Sequence, residues 1–376
     1  MSEEPVSETR YLVLGGSGFL GSYIVQELAS RGESHVAVFD LKEPAPEDKV
    51  ERVSYHTGDI CDLKRLVDVL KETETNVVFH TISPVHGLPD AVYQRVNVEG
   101  TKTLLEACRD PSLSDAVFKF IFTSSTGVTW RAQDIAGATE EQLPIPEKGF
   151  DAYHHTKALA EKMVLEADNK GMRTVVIRPG GMIGPRDPQL LHRLATALAK
   201  KNHKLQLGNN TNLVDWTYAG NVADAHLAAA DRLPSRKDLD AYTVPHPIAG
   251  QVFIVTNGEP MLQWDFSRLM WRALGAPSEE LDPKKVVKVP RLLALAVAAV
   301  SEAWCKVTGG HTELTRFTVI YSTATQWYNI DKARSALGYK PRVSLEDAAA
   351  MAAKWWHERG EKEYKVQRQA SRSRRL

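Results

Sequence analysis

Short apolar runs alternate along this chain with longer stretches in which apolar residues recur every three or four positions. The first run, residues 12–14, ends in glycines, and Phe19, Leu20, Ile24, Val25 and Leu28 then follow a helical period. Further runs at 35–40, 53–56, 76–80, 118–122, 174–177 and 251–255 read as strands. Helical patterns occupy 63–70, 96–108, 190–201, 264–274 and 345–358, and 213–230 reads as a short extended piece feeding a helix. Residues 130–149 are polar with several prolines and read as a loop. Strand and helix alternate to about residue 185 and the alternation loosens beyond it. The pattern predicts an α/β fold, a parallel sheet with helices on both faces, with room for right-handed crossovers.

The strand–turn–helix at residues 11–21 carries Gly15, Gly18 and Gly21 in G-x-x-G-x-x-G spacing. A turn of this kind brings a pyrophosphate onto the helix N-terminus at Phe19 and Leu20, where free N–H groups and the helix dipole meet its charge. A Cβ on the turn glycines would hold the phosphate off, and the third glycine lets helix and strand pack closely. Dinucleotide binding on a Rossmann-type doubly wound sheet is the expectation. Asp40 closes the second strand about twenty residues past the turn, where a carboxylate accepts the adenosine ribose hydroxyls and repels a 2′-phosphate. NAD is therefore favoured, with NADP left open by basic neighbours such as Lys42. Asp59, followed by Ile60, is a candidate for the adenine amino group, with a helix N-cap as its competing role. Thr81 and Ser83 leave the fourth strand at its carboxyl end, where doubly wound sheets bind ligands. Asn97 is expected to make a core-side hydrogen bond that braces the next strand.

Composition narrows the class. Lys plus Arg and Asp plus Glu both number 47, so no net field favours nucleic acid. Cys61, Cys108 and Cys305 have no C-x-x-C spacing and read as reduced thiols facing the cytosol. The acidic start is unlike a signal peptide, and no run reaches the ~20 apolar residues of a membrane span. Residues 289–304 come nearest. Their bland reading, slightly favoured, is a buried helix or pocket wall; the other is a helix lying in a membrane interface. Residues 365–376 are basic, and attraction to anionic lipid is one use for them.

Tyr153 and Lys157 lie four apart on a predicted helix, so they share a face. An ammonium near a phenol lowers its pKa and makes it a serviceable base. A serine at 124–125, at the end of a strand, can hold the substrate oxygen. Proton abstraction from an alcohol, coupled to hydride loss to nicotinamide, is the chemistry these groups suit. No metal is called for.

These residues resemble, in order and spacing, the extended short-chain dehydrogenase/reductases. The catalytic serine carries over to Ser125, with Ser124 the alternative, beside Tyr153 and Lys157. The segment Y-A-G-N-V-A-D-A-H at 218–226, R-P-G-G-M-I-G-P at 178–185 and L-G-Y-K-P at 337–341 resemble the 3β-hydroxysteroid dehydrogenase branch. The stretch E-P-M-L-Q-W-D-F at 259–266 resembles the fungal sterol-4α-carboxylate 3-dehydrogenases (decarboxylating) of ergosterol synthesis. The resemblance implies further cofactor contacts at Pro179, Gly180 and Ile183, alongside Tyr153 and Lys157. It also implies oxidation of a 3β-hydroxyl, after which a β-keto acid loses carbon dioxide. Arg131, Arg178 and Arg186 are candidates for the substrate carboxylate by charge and loop position.

The expected layout is a dinucleotide-binding domain at 1–185, a smaller C-terminal substrate-binding region at 186–360 with some strands returning to the core, and a basic, disordered tail at 361–376. A homodimer, other enzymes of the sterol pathway as partners, and a peripheral, cytosol-facing place at the endoplasmic reticulum membrane are expectations by resemblance. Two rivals stand beside the dehydrogenase: a sugar-nucleotide epimerase or dehydratase of the same fold, and a non-catalytic nucleotide-sensing protein.

Overall fold

Seven strands form the central sheet: β1 (Tyr11–Leu14), β2 (Val36–Asp40), β3 (Val53–Thr57), β4 (Val77–His80), β5 (Lys119–Thr123), β6 (Arg173–Pro179) and β7 (Gln251–Val255). They come from a computed structural model that describes residues 9–366 except 115, 169–170, 239–245, 311 and 313. The strand order is β7-β6-β5-β4-β1-β2-β3, and every pairing is parallel. Every residue of β1, β4 and β6 is buried, as expected of strands covered on both faces. β1 pairs with β2 on one side and β4 on the other, so a crevice opens between their carboxyl ends.

Successive residues of a strand point to opposite faces, and the core divides accordingly. Val13, Phe79 and Ile121 pack with Ile24 and Leu28 of the helix Phe19–Ser30 and with Val222 and Leu227 of the helix Ala219–Arg232. Leu12, Val78 and Phe120 pack on the other face, against Leu66 and Leu70 of the helix Leu63–Glu72, Leu104 of the helix Gly100–Ala107 and Val164 of the helix Ala152–Glu166.

The two halves of the chain interleave. β7, from the second half, extends the main sheet beyond β6. In the other direction, Ile135–Ala138 lies inside the stretch expected to be loop and pairs in parallel with Gln326–Tyr328. Those strands join Leu213–Val214 and Met261–Leu262 in a four-stranded sheet. Local periodicity carries no trace of a partner so distant in sequence, which is why 130–149 reads as loop. The segment expected as a helix over 96–108 begins earlier, at Asp90–Tyr93, and passes through a π-helical turn at Gln94–Glu99.

A second correction concerns residues 289–304. The helix Arg291–Thr308 buries only Ala294 and Ala298, while Leu292, Val300, Trp304 and Val307 are 81%, 71%, 68% and 84% exposed. It is not a buried helix. Among the described residues no helix is long and apolar enough to cross a membrane. The last helix, Leu345–Trp355, continues through a π-helical turn at Trp356–Gly360 and on to residue 366; the basic stretch 367–376 lies outside the described residues.

Candidate active site

The glycine turn has the geometry its sequence requires. Gly15 adopts φ +82°, and a Cβ there would lie 2.7 Å from Thr81 Oγ1. A Cβ on Gly21 would lie 2.1 Å from the carbonyl oxygen of Gly15, so helix and strand meet at backbone contact. Gly18 caps the first helix with no side-chain bond, leaving first-turn N–H groups at Phe19 and Leu20 for a ligand. The Ser17 hydroxyl is buried beside them without a partner. A cradle too tight for a Cβ, open amides and an orphaned hydroxyl fit a dinucleotide pyrophosphate.

Asp40 stands at the end of β2 with Oδ2 accepting from Ser17 N at 3.2 Å and Oδ1 from Leu41 N at 2.7 Å. Burial pushes its carboxyl up while those amides pull it down. Asp59 accepts from Cys61 N at 2.9 Å and pairs with Arg95 at 2.5 Å. The competing N-cap role belongs to Asp62, which accepts from Arg65 N at 3.0 Å. Ile60 is buried under Gly100, where a Cβ would come within 2.6 Å of it. Thr81 Oγ1 donates to the Leu14 carbonyl at 2.7 Å, tying β4 to β1. Pro179 ends β6, the Gly180 N–H donates to Val255 at 3.0 Å, and Ile183 lies in a short strand paired with Trp216–Tyr218. This run therefore crosses the carboxyl end of the sheet.

Asp151 caps the helix Ala152–Glu166 by accepting from His154 N at 2.9 Å, which places Tyr153 in the first turn and Lys157 in the next. Burial pushes the Tyr153 phenol up to about 12, and the hydroxyls of Ser83 and Ser125 pull it down. The His86 ring packs on it at 3.9 Å between centroids. Lys157 is 2% exposed. Its Nζ donates to the Thr123 carbonyl at 2.5 Å and lies 4.2 Å from the centre of the Phe122 ring. Burial pulls this ammonium down to about 7, with Glu161 acting the other way. The expectation of an ammonium turned to the phenol is thus corrected. A buried ammonium needs an acceptor, and the one it takes is at the end of β5.

The structure also separates the two serines. Ser124 Oγ donates to Glu161 Oε2 at 2.5 Å, behind the site. Ser125 is the one whose hydroxyl pulls the Tyr153 phenol down, and its Oγ accepts from Gly127 N at 3.1 Å. Arg178 donates to both Glu161 oxygens, at 3.0 and 2.5 Å, so it is spent and cannot serve a substrate carboxylate. Arg186 donates to the Ser17 carbonyl at 3.1 Å, which puts it at the cofactor turn. Arg131 is exposed. Asn97 donates to Thr156 Oγ1 at 3.0 Å and accepts from Ser83 at 3.4 Å. It therefore braces the tyrosine's helix and the Ser83 loop, not the next strand.

Three contributors went unread in sequence. Glu161 repeats the four-residue spacing of Tyr153 and Lys157, a signal that was available. His226 sits in the 218–226 motif. Its Nδ1 bonds the Val222 carbonyl at 2.8 Å and so carries the proton, which leaves Nε2 to accept from Thr123 Oγ1 at 2.7 Å. His86 lies on a loop with no periodic signal.

Residues 12–285 match the 3-beta hydroxysteroid dehydrogenase/isomerase family. The chain is 36% identical to sterol-4-alpha-carboxylate 3-dehydrogenase ERG26, decarboxylating, of Saccharomyces cerevisiae, covering 92% of this chain and 97% of that protein. It is 38% identical to its Schizosaccharomyces pombe namesake over 90% of this chain and 95% of the relative. Among solved structures, dTDP-glucose 4,6-dehydratase from Bacillus anthracis str. Ames in complex with NAD superposes with a TM-score of 0.67 at 17% identity, covering 94% of this chain and 98% of that one. At that identity the likeness speaks for the fold alone.

Proposed function

The chain belongs to the 3-beta hydroxysteroid dehydrogenase/isomerase family, and from that premise we propose that Ser125, Tyr153 and Lys157 carry the oxidation of a 3β-hydroxyl on a 4α-carboxysterol. The observation that carries this reading is the place of Tyr153 in the first turn of the helix that brings Lys157 to the end of β5, where the Ser83 and Ser125 hydroxyls pull the phenol's pKa down against burial. The reaction is the NAD-dependent, decarboxylating dehydrogenation of sterol synthesis. NAD, when bound, accepts the hydride from C3. Tyr153 takes the hydroxyl proton. Ser125 holds the substrate oxygen and stabilises the charge that develops on it. A phenol near 12 is a poor base at neutral pH, so the donors at Ser83 and Ser125 matter for its ionisation. Lys157 stiffens the floor of the site through Thr123. The product is a β-keto acid, which loses carbon dioxide through an enol without a dedicated base.

An apolar substrate suits the surroundings. Phe150, Phe317 and Tyr321 pack successively at 5.6 Å between ring centroids beside the start of the catalytic helix, with Trp130 against them. The exposed apolar face of Arg291–Thr308 rests on the cytosolic surface of the endoplasmic reticulum membrane, where such a substrate resides.

The test is incubation of the purified protein with a 4α-carboxysterol and NAD. NADH and carbon dioxide are expected together. NADH without carbon dioxide would reduce the activity to a plain 3β-hydroxysteroid dehydrogenase, and no net NADH would sink the reading in favour of an epimerase.

A further inference from the structure

Arg186 adopts φ +71°, in the left-handed region that residues with a Cβ avoid unless their surroundings enforce it. The enforcement is visible. Tyr23, on the first helix, donates its hydroxyl to the Pro185 carbonyl at 3.1 Å. Gly184, at φ +153°, passes so close to that hydroxyl that a Cβ would lie 2.8 Å from it. Residues 184–186 are therefore pinned to the helix that opens the glycine turn.

The pinned arginine reaches the turn itself. Its Nη2 donates to the Ser17 carbonyl at 3.1 Å and lies 3.9 Å from Asp48 Oδ2. Asp48 is held in turn by Arg359 of the last helix, at 2.8 and 3.2 Å, and Arg359 is anchored to Glu363 at 3.0 Å. Two of the three polar groups of Ser17 are bound: its N–H goes to Asp40 and its carbonyl accepts from Arg186, while its buried hydroxyl has no partner. The run Gly15–Ser22, G-G-S-G-F-L-G-S, contains no basic residue, although a dinucleotide brings a doubly charged diphosphate there.

We propose that Arg186 is a phosphate-binding residue, its guanidinium meeting the diphosphate of the bound dinucleotide from the substrate side of the cleft, with Asp48 and Arg359 as positioning residues that hold it over the turn. A planar fork matches phosphate oxygens with paired donors, and the Ser17 hydroxyl in the same turn has no partner. The assignment rests on the dinucleotide reading above and adds to it a contact outside the glycine turn.

The experiment is binding rather than turnover. NADH is titrated by fluorescence into the full-length protein, and ADP and adenosine compete against it, for wild type, Arg186→Met, Arg186→Lys and Arg359→Met. Arg186→Met should weaken NADH and ADP about tenfold or more and leave adenosine, which has no phosphate, unchanged. Arg186→Lys should fall between, and Arg359→Met should show a smaller loss with the same ligand order. Wild-type ADP affinity in Arg186→Met would overturn the proposal. So would an equal loss for adenosine, which would mark a structural role. A wild type that binds NADH but oxidises no carboxysterol would sink the substrate reading alone, and the variant comparison would still decide Arg186.

Discussion

Two helices of similar length invert the ordinary rule for what faces inward. The helix Ala152–Glu166 buries Lys157 and Glu161 at 2% and 0% exposure. The helix Arg291–Thr308 turns Leu292, Val300 and Val307 to the outside. Charges survive in an interior only when each finds a partner, since an unmatched one is expensive. Here Glu161 gathers Arg178 and Ser124, and Lys157 takes a strand-end carbonyl. A contiguous apolar face survives outside when something other than water meets it. In the proposed function both helices give up local stability, the first toward a substrate hydroxyl and the second toward a membrane surface.

The sharpest way to probe that contrast is at the reacting atom. Tyr153→Phe should lower kcat by about 10²–10⁴-fold with NADH affinity kept, and wild-type turnover would remove Tyr153 as the base. Next in size, Glu161→Gln leaves the Arg178 guanidinium buried without its counter-charge and should cost about 3–5 kcal/mol in denaturant unfolding. A loss below about 1 kcal/mol would mean the network behind the site is not what holds the helix. Lys157 makes stability depend on pH in the cofactor-free protein. Burial lowers its pKa from 10.5 to about 7, so between those values the unfolded chain binds more protons than the folded one. Its contribution is complete above 10.5 and lost as pH falls toward 7. Lys157→Met should flatten the rise in stability across that window, and an unaltered slope would place the titration elsewhere. On the other helix the expected stability change is smallest. The double variant Leu292→Ser, Val300→Ser should unfold within about 0.5 kcal/mol of wild type while sedimenting less with phospholipid vesicles; undiminished sedimentation would dismiss the membrane role.

Much of the first half was legible because its signals are local. Strand β1, the three glycines and Asp40 lie within one stretch of chain, and the parallel sheet is written in buried apolar runs. Tyr153 and Lys157 were readable as one helical face, and Glu161 could have been added by the same spacing. What local pattern could not say is where a side chain finds its partner. Lys157 turns to the Thr123 carbonyl, Arg178 turns inward to Glu161, and Asn97 reaches Thr156 instead of a strand. Each choice is made by burial across elements. The helix Arg291–Thr308 was misread for the opposite reason: its apolar residues looked like core, and only the packing shows that two alanines are all it buries.

The pairing of Ile135–Ala138 with Gln326–Tyr328 governs the order in which a growing chain can finish. The first six strands emerge from the ribosome in sequence and can begin to associate, yet the β6 edge and this small outer strand must wait for segments made later. Closing such distant contacts is slow, and until then the β6 edge and the face over 135–138 stand open to other chains. A protein truncated before residue 326 should accordingly accumulate as aggregate, even with its entire glycine turn and catalytic helix present.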